Sequence, residues 1–116
     1  MITNLFKQLV TASLAGSTFT APSHIAWGDS STAATEDDTV LGNELERNAI
    51  DTNIVTGTTI EITSTLTTAE LVGSTIKEVG LLNASSSGTL FMRNTFNDIE
   101  KTSGFEVDST FIITVR

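Results

Sequence analysis

The sequence predicts a mainly β domain, a small antiparallel β-sandwich or barrel with one N-terminal α-helix, and three features predict it. Ser and Thr crowd the chain in runs such as Thr63-Ser64-Thr65-Leu66-Thr67-Thr68, and the branched Cβ of Thr suits a pleated surface. From Arg47 onward, apolar and polar residues alternate between turn-forming clusters. Near the start, by contrast, Leu5, Phe6, Leu9, Val10 and Leu14 recur at helical spacing. With 116 residues the chain reads as one domain, residues 1–116, with the helix in 1–16 and the β-sandwich in 24–116.

The helix is expected over Thr3 to Ala15, with Thr3 as N-cap and Gly16 at the glycine position beyond the C-terminus. Its stripe of Leu5, Phe6, Leu9 and Val10 has two readings: a helix packed on its own sheet, or an arm docked on a neighbouring subunit. These four are the candidate interface residues. A polar connector with the chain's only proline, Pro22, leads to a short strand, His24 to Gly28. Asp29 to Thr35 reads as a loop. Thr35-Glu36-Asp37-Asp38 then has the form of a helix N-terminus, a Thr cap followed by acids. Leu41 and Leu45 at i and i+4 extend this to a short helix or turn.

Ile50, Thr52 and Ile54, the turn at Thr56-Gly57, and Ile60, Ile62, Ser64 and Leu66 make a hairpin. Thr75 to Asn83 is a strand in which Gly80 marks a bulge or a close approach. After the loop Ala84 to Gly88, a strand over Thr89 to Phe96 puts Leu90, Met92 and Phe96 on one face. Asn97 to Gly104 reads as a polar loop. Phe105, Val107, Phe111, Ile113 and Val115 alternate with Glu106, Asp108, Thr110 and Thr114, which predicts a closing strand with a buried odd-numbered face. The count is about six strands.

The net charge of −8 makes nucleic acid and anionic membrane surfaces unfavourable partners. There is no Cys, which excludes disulfides and thiolate metal sites. A small domain without crosslinks can draw stability from oligomer contacts instead. Catalysis finds little material. His24 is the only histidine, and no serine sits in a nucleophile-elbow pattern. The expectation is a protein that is not an enzyme and needs no cofactor. Glu36, Asp37, Asp38, Glu44 and Glu46 form an acidic segment, read as solvated or as holding a weak interfacial cation; its spacing is not that of an EF-hand. Trp27 and the Phe residues are either core or a sugar-stacking platform. Glu78 and Arg93 are placed to pair across a hairpin, and Glu44 and Arg47 to pair at i and i+3, as fold-organising pairs.

Two stretches carry a resemblance. The first is Ile25-Ala26-Trp27-Gly28-Asp29 with Asp38-Thr39, Leu41, Glu44 and Arg47. The second is Ile76 to Ala84, Gly88 to Arg93 and Ile99-Glu100-Lys101. In this order they resemble small structural virion proteins of tailed bacteriophages and tailed archaeal viruses. This sequence departs from that pattern at Leu82 and in having no proline in the Ser30 to Thr35 loop. The resemblance implies a structural subunit in the virion, assembled in the host cytoplasm, whose partners are copies of itself and other capsid or tail proteins. The favoured expectation for its location is an external projection: a capsid decoration or turret, or a tail-fibre or baseplate module. The alternative expectation is a receptor- or carbohydrate-binding module on the virion surface. An exposed aromatic shelf at Trp27 would favour that alternative, and a buried Trp27 beside an apolar surface would favour the structural role.

Overall fold

The alternating segments form seven strands in the computed structural model, which describes residues Met1–Arg116. In chain order these are α1 (Asn4–Leu14), β1 (His24–Gly28), β2 (Glu44–Ala49), β3 (Thr52–Thr56), β4 (Thr59–Leu66), β5 (Thr75–Leu82), β6 (Leu90–Glu100) and β7 (Val107–Thr114). A four-stranded antiparallel sheet, ordered β2-β1-β5-β6, packs on a three-stranded one, ordered β3-β4-β7. The result is a small β-sandwich with one N-terminal helix.

The core between the sheets is built from Ile25, Trp27, Ile62, Leu66, Ile76, Leu81, Phe91 and Phe111. Burying a side chain of this size contributes about 1.5–3 kcal/mol. Polar stitches cross the same gap. Trp27 Nε1 donates to Ser109 Oγ at 2.9 Å, Asn48 Nδ2 to the Thr65 carbonyl at 3.0 Å, and Ser64 Oγ to the Ala49 carbonyl at 2.8 Å. A second, smaller cluster of Ala26, Leu41, Leu82 and Leu90 lies on the other side of the four-stranded sheet. Residues 29–43 fold over that side, so this sheet is covered on both faces.

Residues 1–3 close the edge of the same sheet. Thr3 N donates to the Phe91 carbonyl and Arg93 N to the Met1 carbonyl, each at 3.0 Å, and Ile2 bridges to Met92. The edge strand β6 therefore does not present a bare ladder there. Thr3 is fully buried; its hydroxyl donates to the Leu90 carbonyl at 2.6 Å and accepts from Phe6 N at 3.2 Å. It is thus both the N-cap of α1 and its anchor. Gly16 follows the helix at positive φ, as a terminating glycine does.

Several sequence expectations are corrected. The strands number seven, because Glu44–Ala49 is strand β2 and no helix runs through Leu41 and Leu45. Pairing with β1 offers that backbone a ladder, which outweighs the weak spacing of two leucines interrupted by Gly42. Thr35 and Asp38 close a turn and do not start a helix; Asp38 N donates to the Thr35 carbonyl at 3.2 Å. Strand β6 runs on to Glu100 through the expected loop, since Thr75 and Ile76 of β5 continue to pair with Glu100 and Ile99. Leu90 does not share a face with Met92 and Phe96. The register slips between Leu81 and Leu82, and the extra residue, Phe91, enters the main core while Leu90 joins the outer cluster.

The closing strand keeps its predicted parity, with Phe111 buried and Val107 and Ile113 half-buried. Phe105 and Val115 fall outside it and are exposed. Phe105 lies instead over Lys101, whose Nζ is 5.5 Å from the ring centre. Lys101 is itself buried and donates to the carbonyls of Thr68 at 3.3 Å and Thr102 at 2.9 Å, joining two connectors that cross between the sheets.

Phe111→Ala should cost about 3–5 kcal/mol, the usual loss for truncating a buried Phe. Thr110→Ala, on the exposed face, should stay within about 0.5 kcal/mol. Thermal melts of the two variants compare them directly, and equal small shifts would contradict one-sided packing of β7.

Candidate functional site

Two features of the fold bear on function, a buried charge cluster that shapes one face and an apolar cleft left open at one end. The charge cluster stands on the outer face of the four-stranded sheet. Glu78 and Arg93 are not directly opposite each other: Glu78 aligns with Thr95 and Gly80 with Arg93. They meet on the diagonal, Arg93 Nε to Glu78 Oε1 at 2.9 Å, and both are buried. Glu78 also accepts from the backbone amides of Ser30 at 3.0 Å, Gly42 at 2.7 Å and Asn43 at 2.8 Å. Arg93 donates further to Asp38 Oδ2 at 3.0 Å and to the Thr32 carbonyl at 2.9 Å.

Every one of these additional partners belongs to the 29–43 segment, so the pair fixes the path of that segment over the sheet. Glycines make the room. A Cβ on Gly28 would collide with the Glu78 carboxylate, and one on Gly80 would lie 2.7 Å from Leu41 Cδ2. The expected role of Gly80 is therefore a close approach. Burial by itself raises the Glu78 carboxyl, but the amides of Asn43, Ser30 and Gly42 and the Arg93 guanidinium outweigh it and hold the group below its usual range. Asp38 has the same balance, with burial opposed by Thr35 and Arg93, and is also lowered.

Glu44 and Arg47 pair as expected, although on a strand. Arg47 forks onto Glu44 through Nε at 2.9 Å and Nη2 at 2.6 Å. On a regular strand, residues three apart point to opposite faces; the irregularity between Trp27 and Gly28 lets β2 skip a residue at Leu45 and restores a common side. Arg47 Nη1 also donates to the carbonyls of Ala84 and Ser87, each at 2.9 Å, and so fastens the β5–β6 loop.

The acidic segment is divided among separate tasks. Glu36 pairs with Lys7 at 3.0 Å, Asp37 accepts from Asn4 Nδ2 at 2.9 Å, and Asp38 and Glu44 are held by their arginines. Burial, and then the neighbouring charge of Glu70, raises the Glu46 carboxyl. No three His, Asp or Glu side chains converge as a metal-binding group. His24 is half-buried, with Nδ1 2.8 Å from Ser23 Oγ. Trp27 is fully buried and forms no surface platform.

The helix stripe is only partly used. Phe6 and Leu9 pack on the core, Phe6 stacking on Phe91 with ring centres 4.8 Å apart, and Leu5 is half-buried. Val10 remains 41% exposed and Leu14 87% exposed. Beside them lies a cleft of about 210 Å³. Phe6, Val10, Phe19 and Pro22 form one wall, and Ile60, Ile62, Ile113 and Val115 the other. It continues past Ser13 to Leu14. Of the candidate interface residues, the structure brings Phe6 and Val10 to this cleft. Sequence reasoning did not nominate Leu14, although it lies i+4 from Val10. It also could not nominate Val115, which its alternation assigned to the core.

Neither a scan against protein-family models nor a search of curated proteins returns a match for this chain.

Arg93→Met should cost about 3–5 kcal/mol at pH 7, because it leaves Glu78 buried without its counter-charge. The lowered Glu78 and Asp38 carboxyls bind protons more weakly in the folded state than in the unfolded chain. Their stabilisation is complete above the ordinary carboxylate range, about pH 4, and is lost as pH falls through it towards their folded values. In the variant, protonation relieves the stranded carboxylate. The deficit against wild type should therefore narrow near pH 3.5, a point read by urea unfolding at both pH values. An undiminished deficit would mean that the pair is not electrostatically coupled.

Proposed function

We propose that the protein is a non-catalytic structural subunit of a tailed-virus particle. It works in an external projection, a capsid decoration or turret or a tail-fibre or baseplate module, by packing against copies of itself and other virion proteins. The observation that carries this reading is the distribution of apolar surface. Trp27, the centre of the expected sugar-stacking platform, is sealed in the core and hydrogen-bonded to Ser109. What the fold leaves open is an apolar cleft lined by aliphatic and phenyl side chains. A receptor- or carbohydrate-binding role at Trp27 loses its platform, whereas subunit packing gains a surface.

The resemblance to tailed-virus structural proteins supports a structural role in the virion. Its two segments are far apart in sequence but lie together in the fold. Residues of the first, Asp38 among them, meet Glu78 and Arg93 of the second in the buried charge cluster. The segments thus correspond to one folding unit, as expected if the resemblance reflects a shared scaffold.

An antibody raised against the recombinant chain tests the reading by immunogold labelling of purified particles. Gold is expected on a projection from the head or tail, and unlabelled particles from a preparation that expresses the protein would overturn the assignment. In the same system His24→Gln, which keeps a polar group beside Ser23, should leave particle yield and infectivity within about twofold of wild type, as for a change away from any large-cost feature. A large loss of infectivity from intact particles would assign His24 a chemical role.

A further inference from the structure

The three-stranded sheet is longer than the layer that covers it. Its inner face begins with buried Leu66, Ile62 and Phe111. One cross-strand row further on, Val55, Ile60 and Ile113 align across β3, β4 and β7. That row has only the flank of α1 and the connector residues Phe19 and Pro22 beside it. Val55 is 69% exposed, and Val115, beyond it, is 70% exposed. The molecule measures 46 Å along its long axis against 28 and 25 Å across, in keeping with this offset. An aliphatic sheet face is favourable only when a second layer removes it from water.

We infer that the missing layer is a second copy of this chain, docked through the same face about a two-fold axis. The inference rests on the reading above that the protein works by packing against its own copies, and it names the face and the symmetry. Charge opposes self-association least at this face. A chain with a net charge of −8 repels its copy almost everywhere. Yet no ionisable side chain lines the cleft, whose walls are hydrocarbon apart from Ser13. The opposite face of the same sheet is different. There Glu61 sits between Ile54 and Ile112 in the central row, and a two-fold contact would bring Glu61 towards its own copy.

Area points the same way. Val10, Leu14, Val55 and Val115 are 41%, 87%, 69% and 70% exposed and, with the half-buried residues between them, form a patch in the class of about 300–600 Å² that on a monomer is often functional. A standard interface buries about 800 Å² per partner. The patch therefore supplies its apolar centre, with the exposed Thr58, whose carbonyl accepts from Val115 N, beside it for a rim. Shape is self-complementary as well. Leu14 stands at the lip of a cleft roomy enough for an aliphatic side chain, so each copy offers a knob and a hole, which a two-fold contact uses twice.

Sedimentation equilibrium of the full chain from micromolar to several hundred micromolar tests this. Wild type should approach twice its 12.3 kDa mass. Leu14→Glu and Val115→Glu alter exposed positions and should keep the wild-type circular dichroism spectrum, yet weaken the dimer at least tenfold. Should either fail to fold, Leu14→Ser and Val115→Thr carry the same expectation in weaker form. Ile112→Glu, on the opposite face, should leave the dimer intact. Wild type that remains monomeric throughout would overturn the inference, and so would a dimer broken by Ile112→Glu alone or a mass beyond two copies. The immunogold result stands separately: labelled projections with a monomeric chain would keep the virion reading and leave this face to another virion protein.

Discussion

A carboxylate and a guanidinium buried together on the outside of a sheet impose conditions on everything near them. Each charge loses its hydration and must recover it from fixed partners. Glu78 takes three backbone amides in addition to Arg93, and Arg93 takes Asp38 and the Thr32 carbonyl in addition to Glu78. No buried polar side-chain atom is left without a hydrogen-bond partner. Because the partners come from residues 29–43, a segment without helix or strand acquires one defined path. Leu41 is thereby brought down onto Ala26, Leu82 and Leu90, and the outer face of the sheet becomes a second small core.

This cover explains the asymmetry of the sandwich. The four-stranded sheet has the 29–43 segment on one face, the other sheet on the opposite face, and residues 1–3 along its β6 edge. The three-stranded sheet receives cover on one face only, and on that face incompletely. Its strand β3 is exposed along its whole length. Apolar residues there belong to the same β-branched alternation as the core residues. They differ only in lying beyond the reach of the opposing layer. The open surface thus follows from an offset between two sheets of unequal extent, and the proposed assembly role uses that offset.

Acidic groups are spread in a related way. Several are consumed by the scaffold: Glu78 and Asp38 by Arg93, Glu44 by Arg47, Glu36 by Lys7. Glu70 is held by Asn48 Nδ2 at 3.0 Å and Thr67 N at 2.9 Å. These carboxylates organise loops, as do Asp29 and Asp37 through Asn43 and Asn4. A cluster that looks like a cation site along the chain is, in space, a set of separate loop fasteners.

The sequence by itself determined the class of fold, the helix at its start and the parity of β4 and β7, because one-sided burial writes a period of two or of 3.6 residues directly into the chain. It also pointed to both charge pairs, Glu78 with Arg93 flanking one hairpin and Glu44 with Arg47 close in sequence, although the second, expected on a helix, forms on a strand only through a bulge. Tertiary structure decided what periodicity does not encode. Strand β2 exists because β1 offers it a ladder, which the few apolar residues of Glu44–Ala49 do not announce. Two bulges moved Phe91 inward and brought Glu44 beside Arg47, and a bulge reverses the face of every residue beyond it without changing composition. Asp38 became the second partner of Arg93 only when the 29–43 segment folded over. Val115 and Phe111 carry the same pattern in sequence. One is exposed and the other buried because burial requires an opposing layer, and the extent of that layer is a property of how the two sheets are set against each other.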